Sequence, residues 1–256
     1  MPSQFNVSVK YHDIFDFKLT KEEAVKWQFR NQKTVVSGKK NKGRLQREKY
    51  SQKKLEIAKK ASKLISKIPT VLFVGITGSL AMMNSGNESD IDLMIVTKKN
   101  SLWTTRVLVY GLLRLSSYEL RKPKQDSEKN MLCINLWLDE SDLVWSKNDR
   151  NIYTAHEIAQ IVPLYNKENV YEKFIYLNRW ILNYWPNAVA VRSTKNIVQR
   201  NKINFLEKVA FKLQYFYMKN KITREIVTPT RAIFHPNDWG KSVTAKLGVD
   251  RKIIKN

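Results

Sequence analysis

The sequence predicts an α/β (α+β) core built on a small mixed sheet, preceded by a basic helical N-terminal region and followed by a helical C-terminal domain. Three observations predict it. Runs of β-branched, aromatic and other apolar residues recur at TVLFVGI, IDLMIVT and MLCINLWL, each of strand length. Segments of helical length and composition alternate with them, as layered α/β packing requires. From about Asn151 the texture changes to segments rich in Tyr, Trp and Phe that read as helices. The expected divisions are 1–68 for the N-terminal region, 69–148 for the core and 149–256 for the C-terminal domain.

In the first region, Thr20 and Glu23 of LTKEE form a capping-box pattern that opens a short helix through Ala24 and Trp27 towards Phe29. A loop from Gly38 to Gly43 follows. Between Lys39 and Lys67 there are 12 basic residues against Glu48 and Glu56 alone, while Ile57, Ala61, Leu64, Ile65 and Ile68 recur at helical spacing. That combination describes an amphipathic helix with a lysine face, stopped by Pro69. TVLFVGI is then a buried strand ending at the Gly78-Ser79 turn, and SLAMMNSGNESD a helical turn with a polar loop. IDLMIVT is the second strand, SLWTTRVLVYGLLRL a helix, RKPKQDSEKN a polar loop and MLCINLWL the third strand. In the last region YTAHEIAQIVPLYN, ENVYEKFIYLNRWILNYW and INFLEKVAFKLQYFYM are expected as helices, and WGKSVTAKLGVDRKIIKN as loosely ordered chain.

The chain carries 46 Lys and Arg against 23 Asp and Glu, a net charge of +23. Polyanions are therefore the expected partners: nucleic acid such as RNA first, then anionic lipid and nucleotide phosphates. A basic surface that only keeps the chain soluble is the plain alternative. The single cysteine, Cys133, lies between Leu132 and Ile134, so it is expected as a small core residue in a reducing cytoplasm. The opening MPSQFNVSVKYHD lacks the apolar run of a secretion signal, and the longest uncharged stretch is broken by Gly75, Gly78, Ser79, Asn84 and Gly86. No membrane span is expected. The sequence carries no sign of an oligomeric state.

Residues two apart on a strand share a face, so Asp90 and Asp92 project side by side with Ile91 turned away. Two carboxylates at that spacing repel unless a proton or a cation intervenes, and hard oxygen donors suit Mg²⁺ or Mn²⁺. Mg²⁺ completes its shell from water and substrate phosphates, which points to a nucleoside triphosphate. Gly78 and Ser79, at the end of the preceding strand, offer close backbone approach, N–H groups and a hydroxyl to those phosphates. No Gly-Lys-Ser/Thr follows Gly75 or Gly78, which excludes a Walker loop. Arg106, on the helix after the second strand, could hold a phosphate bidentately, with a helix-surface role as the alternative. His12, His156 and His235 are isolated from one another, so a zinc site is not expected. Trp103 is expected in packing rather than on a base. Phe211, Lys212, Tyr215, Tyr217 and Lys219 form either a stacking surface for single-stranded nucleic acid or the margin of a core.

At this point the residues carry a resemblance. GSLAMMNSGNESDIDLMIV resembles the Gly-Ser, spacer, Asp-hydrophobe-Asp signature of the DNA polymerase beta-like nucleotidyltransferase superfamily, with Gly78, Ser79, Asp90 and Asp92 on the signature positions. The specific likeness covers about residues 70 to 97. More loosely, the chain resembles uncharacterised bacterial nucleotidyltransferase-domain proteins: YHDIFDFKLTKEE is similar to a winged-helix opening, and SLWTTR, YTAHEIAQIVPLY and IFHPNDW to later blocks. The resemblance implies metal-dependent transfer of a nucleoside monophosphate to RNA, protein or a small molecule, with Asp90 and Asp92 as metal-binding catalytic residues. It also implies a third carboxylate in a later strand. That slot falls on Asn135, which can ligate but cannot act as a base. Asp139 lies about 13 Å further along the strand and Glu88 on the spacer loop. The departure favours one alternative, a weakened or inactive transferase fold that binds nucleic acid; a second is a protein-interaction module, such as the nucleotidyltransferase half of a two-component toxin system.

Overall fold

The structure is a computed structural model and describes residues 6–122, 127–193, 205–234 and 238–248. The chain forms a mixed α/β fold around a six-stranded sheet. Three helices come first: α1 (Val7–Asp13), α2 (Lys21–Lys26) and α3 (Lys42–Ile65). α2 opens on the expected capping box, in which Thr20 and Glu23 each satisfy the other's backbone N–H. α3 begins earlier than its apolar periodicity indicates, because the Asn41 side chain accepts from the Arg44 N–H at 2.8 Å and caps it.

The central elements follow the expected alternation: β1 (Val71–Ile76), the single turn α4 (Gly78–Ala81), β2 (Ile91–Thr97), α5 (Leu102–Leu115) and β3 (Leu132–Asp139). After them come α6 (Ile152–Ala159), β4 (Val162–Asn166), α7 (Val170–Leu177), α8 (Phe205–Met218), β5 (Ile226–Thr228), β6 (Arg231–Ile233) and α9 (Trp239–Leu247). The strand order is β4-β1-β2-β3-β6-β5. Among the described strands only β2 and β3 pair in parallel, and α5 supplies the crossover that a parallel pair needs.

Residues 149–256 therefore depart from the all-helical expectation, since β4, β5 and β6 extend the same sheet on both sides. β4 lies within IVPLYN, the second half of an expected helix. Pro163 cannot serve a helix interior and here sits in an outermost strand. α9 lies in the segment expected to be loosely ordered. Asp238 caps it through the Lys241 N–H at 2.8 Å, and Val243 and Leu247 bury its inner face.

The strand period of two divides the core. Ile91, Leu93 and Ile95 face one way with Val74, Ile134 and Trp137, under α3 and α5. Met94, Val96, Leu136 and Leu138 face the other way, against Tyr11, Trp27, Ile158 and Trp185. Each buried Leu or Ile contributes about 1.5–3 kcal/mol, so the alternation fixes the register of all three central strands. One irregularity bears on the site: Leu93 pairs with Ile134 and Met94 with Leu136, which makes Asn135 the extra residue of a β-bulge.

Candidate functional site

Asp90 enters β2 and Asp92 lies within it, with Cys133 directly across the parallel pair. One ligand atom from each of the three lies within 4.8 Å of the others, so the group could hold a metal ion. Gly78 adopts a left-handed φ of +60°, and a Cβ there would collide with the Asp92 carboxylate. Glycine is thus required twice over, by its backbone and by its neighbour. The Thr77 N–H donates to the Asp92 carbonyl at 3.1 Å and ties the glycine corner to the acid pair. Ser79 is the exposed neighbour, its hydroxyl 3.0 Å from that of Ser85 rather than on the acids. The bulge turns Asn135 towards the site, where Nδ2 donates to Asp92 Oδ1 at 2.6 Å.

Lys54 of α3 holds the loop that delivers Asp90. Its buried ammonium donates to the Asn87 carbonyl at 3.1 Å, the Ser89 carbonyl at 2.6 Å and Asn130 Oδ1 at 3.0 Å. A cation this deep is stable because all three of its protons are used.

Four side chains that sequence spacing did not single out complete the site. Arg121 grips Glu128 through Nε at 2.7 Å and Nη2 at 2.6 Å, and its Nη1 lies 3.3 Å from Asp90 Oδ2 and 3.6 Å from Cys133 Sγ. From α6, Gln160 Nε2 donates to Glu157 Oε1 at 2.8 Å and to the Gly78 carbonyl at 3.3 Å, linking a further carboxylate to the glycine corner. Asp90, Asp92, Arg121, Glu128 and Glu157 all line one cleft of about 1050 Å³, which also takes in Gly78, Asn135, Tyr153 and Trp239.

Burial dominates the electrostatics. It raises Asp92 to about 7, with the charge of Asp90 adding to the effect. Asp90 also rises through burial, opposed by Arg121. Glu157 reaches about 8 by burial and then by the charge of Asp92. The Cys133 thiol is pushed up by burial and by both aspartates, so it stays protonated. Asp90 Oδ2 and Asn135 Oδ1 are buried without a hydrogen-bond partner among the described residues, and the Arg121 contact has ion-pair distance without hydrogen-bond geometry. Orphaned acceptors of this kind fit a cation. The donors are oxygens and the thiol offers no thiolate, which suits a hard divalent ion better than a thiolate-seeking one.

Other expectations fare differently. Arg106 does not reach the cleft: it donates to Gln214 Oε1 at 2.7 Å and lies over Tyr110 at 4.8 Å, bridging α5 to α8. Asp139 is buried as a loop anchor, accepting from the Asn100 N–H at 2.6 Å and the Ser141 hydroxyl at 2.6 Å. Glu88 points outward beside Lys129 at 3.5 Å. Cys133 is buried, as expected of a small core residue, and also lies beside the two aspartates. His12 and His156 are not isolated: their Nε2 atoms lie 3.2 Å apart. His12 Nδ1 donates to the Ser8 carbonyl at 2.8 Å, which leaves His12 Nε2 to accept from His156. Burial lowers His12 to about 4 and His156 well below its ordinary value, and Trp27 stacks on His156 at 4.0 Å. His235 lies outside the described residues, as do Ile203 and Asn204 of the last expected helix. On α8, Phe211 packs on Trp103 at 5.2 Å, while Lys212, Tyr215 and Tyr217 are exposed.

No helix among the described residues is long and apolar enough to cross a membrane. No protein-family profile, curated protein or solved structure matches the chain.

Proposed function

We propose that the chain is a metal-dependent nucleotidyltransferase that moves a nucleoside monophosphate from a triphosphate to a hydroxyl-bearing acceptor. The observation that carries this reading is the acid pair: Asp90 and Asp92 side by side on the cleft, packed against a glycine corner where only glycine fits. Asp90 and Asp92 would hold Mg²⁺ or Mn²⁺, with the Oδ1 of Asn135 as a weak third donor. When bound, the ion neutralises phosphate charge and orients the triphosphate. The N–H groups around Gly78 and Ser79 would take the phosphates, with Arg121, beside Asp90 on the same cleft, as a further cation for them.

The acceptor oxygen attacks the α-phosphorus, the bond to the β-phosphate oxygen breaks, and pyrophosphate leaves. The acceptor's proton leaves to solvent, because burial raises Glu157 to about 8 and keeps it largely protonated at neutral pH. The test is incubation of the protein with labelled triphosphates, Mg²⁺ or Mn²⁺, and total cellular RNA or protein. Label should move to an acceptor with wild type and not with Asp90→Ala or Asp92→Ala.

A second reading, an inactive fold that binds RNA, is favoured by one observation: Asn135 already bonds Asp92 where the resembling family has a third strand carboxylate. Equal silence of wild type and both variants, together with RNA binding that falls steeply with salt, would decide for it.

A further inference from the structure

We propose that the outer face of α5 and α8 docks on an anionic lipid surface, an activity separate from the cleft. Sixteen large apolar side chains stand exposed among the described residues, three of them on α5 and seven on α8. Val107, Leu108 and Leu115 of α5 are 54%, 55% and 88% exposed, and Leu213 and Phe216 of α8 are 68% and 70%. Scattered exposed apolar groups need no explanation, but a concentration on two packed neighbours marks an interaction surface.

The pattern along α8 has two parallel lines. Val209, Leu213 and Phe216 recur at i, i+4 and i+7, and Lys208 and Lys212 run alongside at i and i+4. Neither helix presents an acid outward. Glu207, the one acidic residue of the two, is buried, accepting from the Trp103 N–H at 2.6 Å and the Thr104 N–H at 3.0 Å at the start of α5. Arg114 adds an exposed cation from α5. Apolar side chains flanked, within these two helices, by cations and no outward acid complement a surface that is apolar beneath and anionic at its boundary.

Charge and side-chain type select among occupants. A second copy would bring the same cations face to face in a chain of net charge +23. Single-stranded nucleic acid would take up the aromatic groups by stacking, yet Val107, Leu108, Leu115, Val209 and Leu213 have no π face to offer it. These aliphatic groups need an apolar medium. They lie from Val107 to Leu115 on α5 and at Val209 and Leu213 on α8, where a helix lying broadside in a bilayer boundary would bury them.

Flotation with vesicles of phosphatidylcholine and phosphatidylglycerol, against phosphatidylcholine alone, tests this with the full chain. The wild type should partition to the anionic vesicles, and the double variant Leu213→Asp/Phe216→Asp should lose at least about tenfold of that partitioning while its thermal melting is unchanged. Emission of the Phe216→Trp variant, read as a difference from wild type, should shift to the blue on anionic vesicles. The proposal is overturned if the wild type does not float, or if Leu213→Asp/Phe216→Asp floats as well as wild type, which is simple adhesion of a basic protein. It is equally overturned if the Phe216→Trp difference emission shifts only with RNA or with rising protein concentration, which assigns the face to nucleic acid or to a second copy.

Discussion

Lys54 and Glu207 are buried charges whose polar atoms are partnered, whereas Asp90, Asp92 and Glu157 are half-buried acids gathered at the wall of the cleft. Lys54 spends its protons on three oxygens, and Glu207 accepts from two backbone N–H groups and the Thr104 hydroxyl. In the cleft, by contrast, acids lie against acids, Asp90 Oδ2 and Asn135 Oδ1 have no hydrogen bond, and burial holds Asp92 near 7 and Glu157 near 8. A satisfied buried charge fixes a structure, and an unsatisfied one expects a ligand.

The contrast predicts opposite outcomes for substitutions on the two sides. Asp92→Ala should lower label transfer by about 100-fold or more while leaving the melting temperature equal or raised, since it removes a charge held in an unfavourable place. A large loss of stability instead would put Asp92 on the structural side. Lys54→Met should do the reverse, costing about 3 kcal/mol in denaturant unfolding because three acceptors lose their donor. Transfer per folded molecule should fall less than with Asp92→Ala. Glu207→Gln should cost about 1–2 kcal/mol, read the same way, by weakening the start of α5.

The pH dependence sharpens the comparison without a substitution. Asp92 and Glu157 have folded values raised above their ordinary 3.8 and 4.5, so the folded chain binds more protons than the unfolded chain between those values and 7 to 8. Their contribution to stability is full below that window and is lost as pH rises through it. In chelator the melting temperature should therefore drop between pH 6 and pH 8.5, by roughly a few degrees, and Mg²⁺ or Mn²⁺ should remove most of that drop. Equal drops with and without the ion would count against a cation site. The smallest effect is expected from Arg106→Ala, which should change label transfer by less than about twofold, because its guanidinium serves the α5–α8 contact.

How far the sequence foretold this depends on whether a signal was local. β1, β2 and β3, the capping box at Thr20 and the partnership of Gly78 with Asp90 and Asp92 each rest on neighbours within about twenty residues, where period and turn chemistry act directly. Glu157 meets the glycine corner from 79 residues away through Gln160, and no spacing rule connects them. Arg121 and Glu128 looked like part of a polar loop, because what makes them special is the acid they face. Arg106 was misplaced since a helix period gives a face but not which side of the sheet that face meets. β5 and β6 have three residues each, too short for an alternation to register. The His12–His156 contact spans 144 residues and becomes visible only when α1 and α6 pack together.

Pro163 has a consequence beyond ending a helix. β4 closes one side of a sheet whose central strands are almost wholly apolar, and such a margin is a ready template for another chain's strand. A residue with no N–H, next to the register shift between Val74 and Gly75, breaks the ladder that an incoming strand would have to copy. An edge strand interrupted in this way offers an incoming strand one ladder donor fewer to copy.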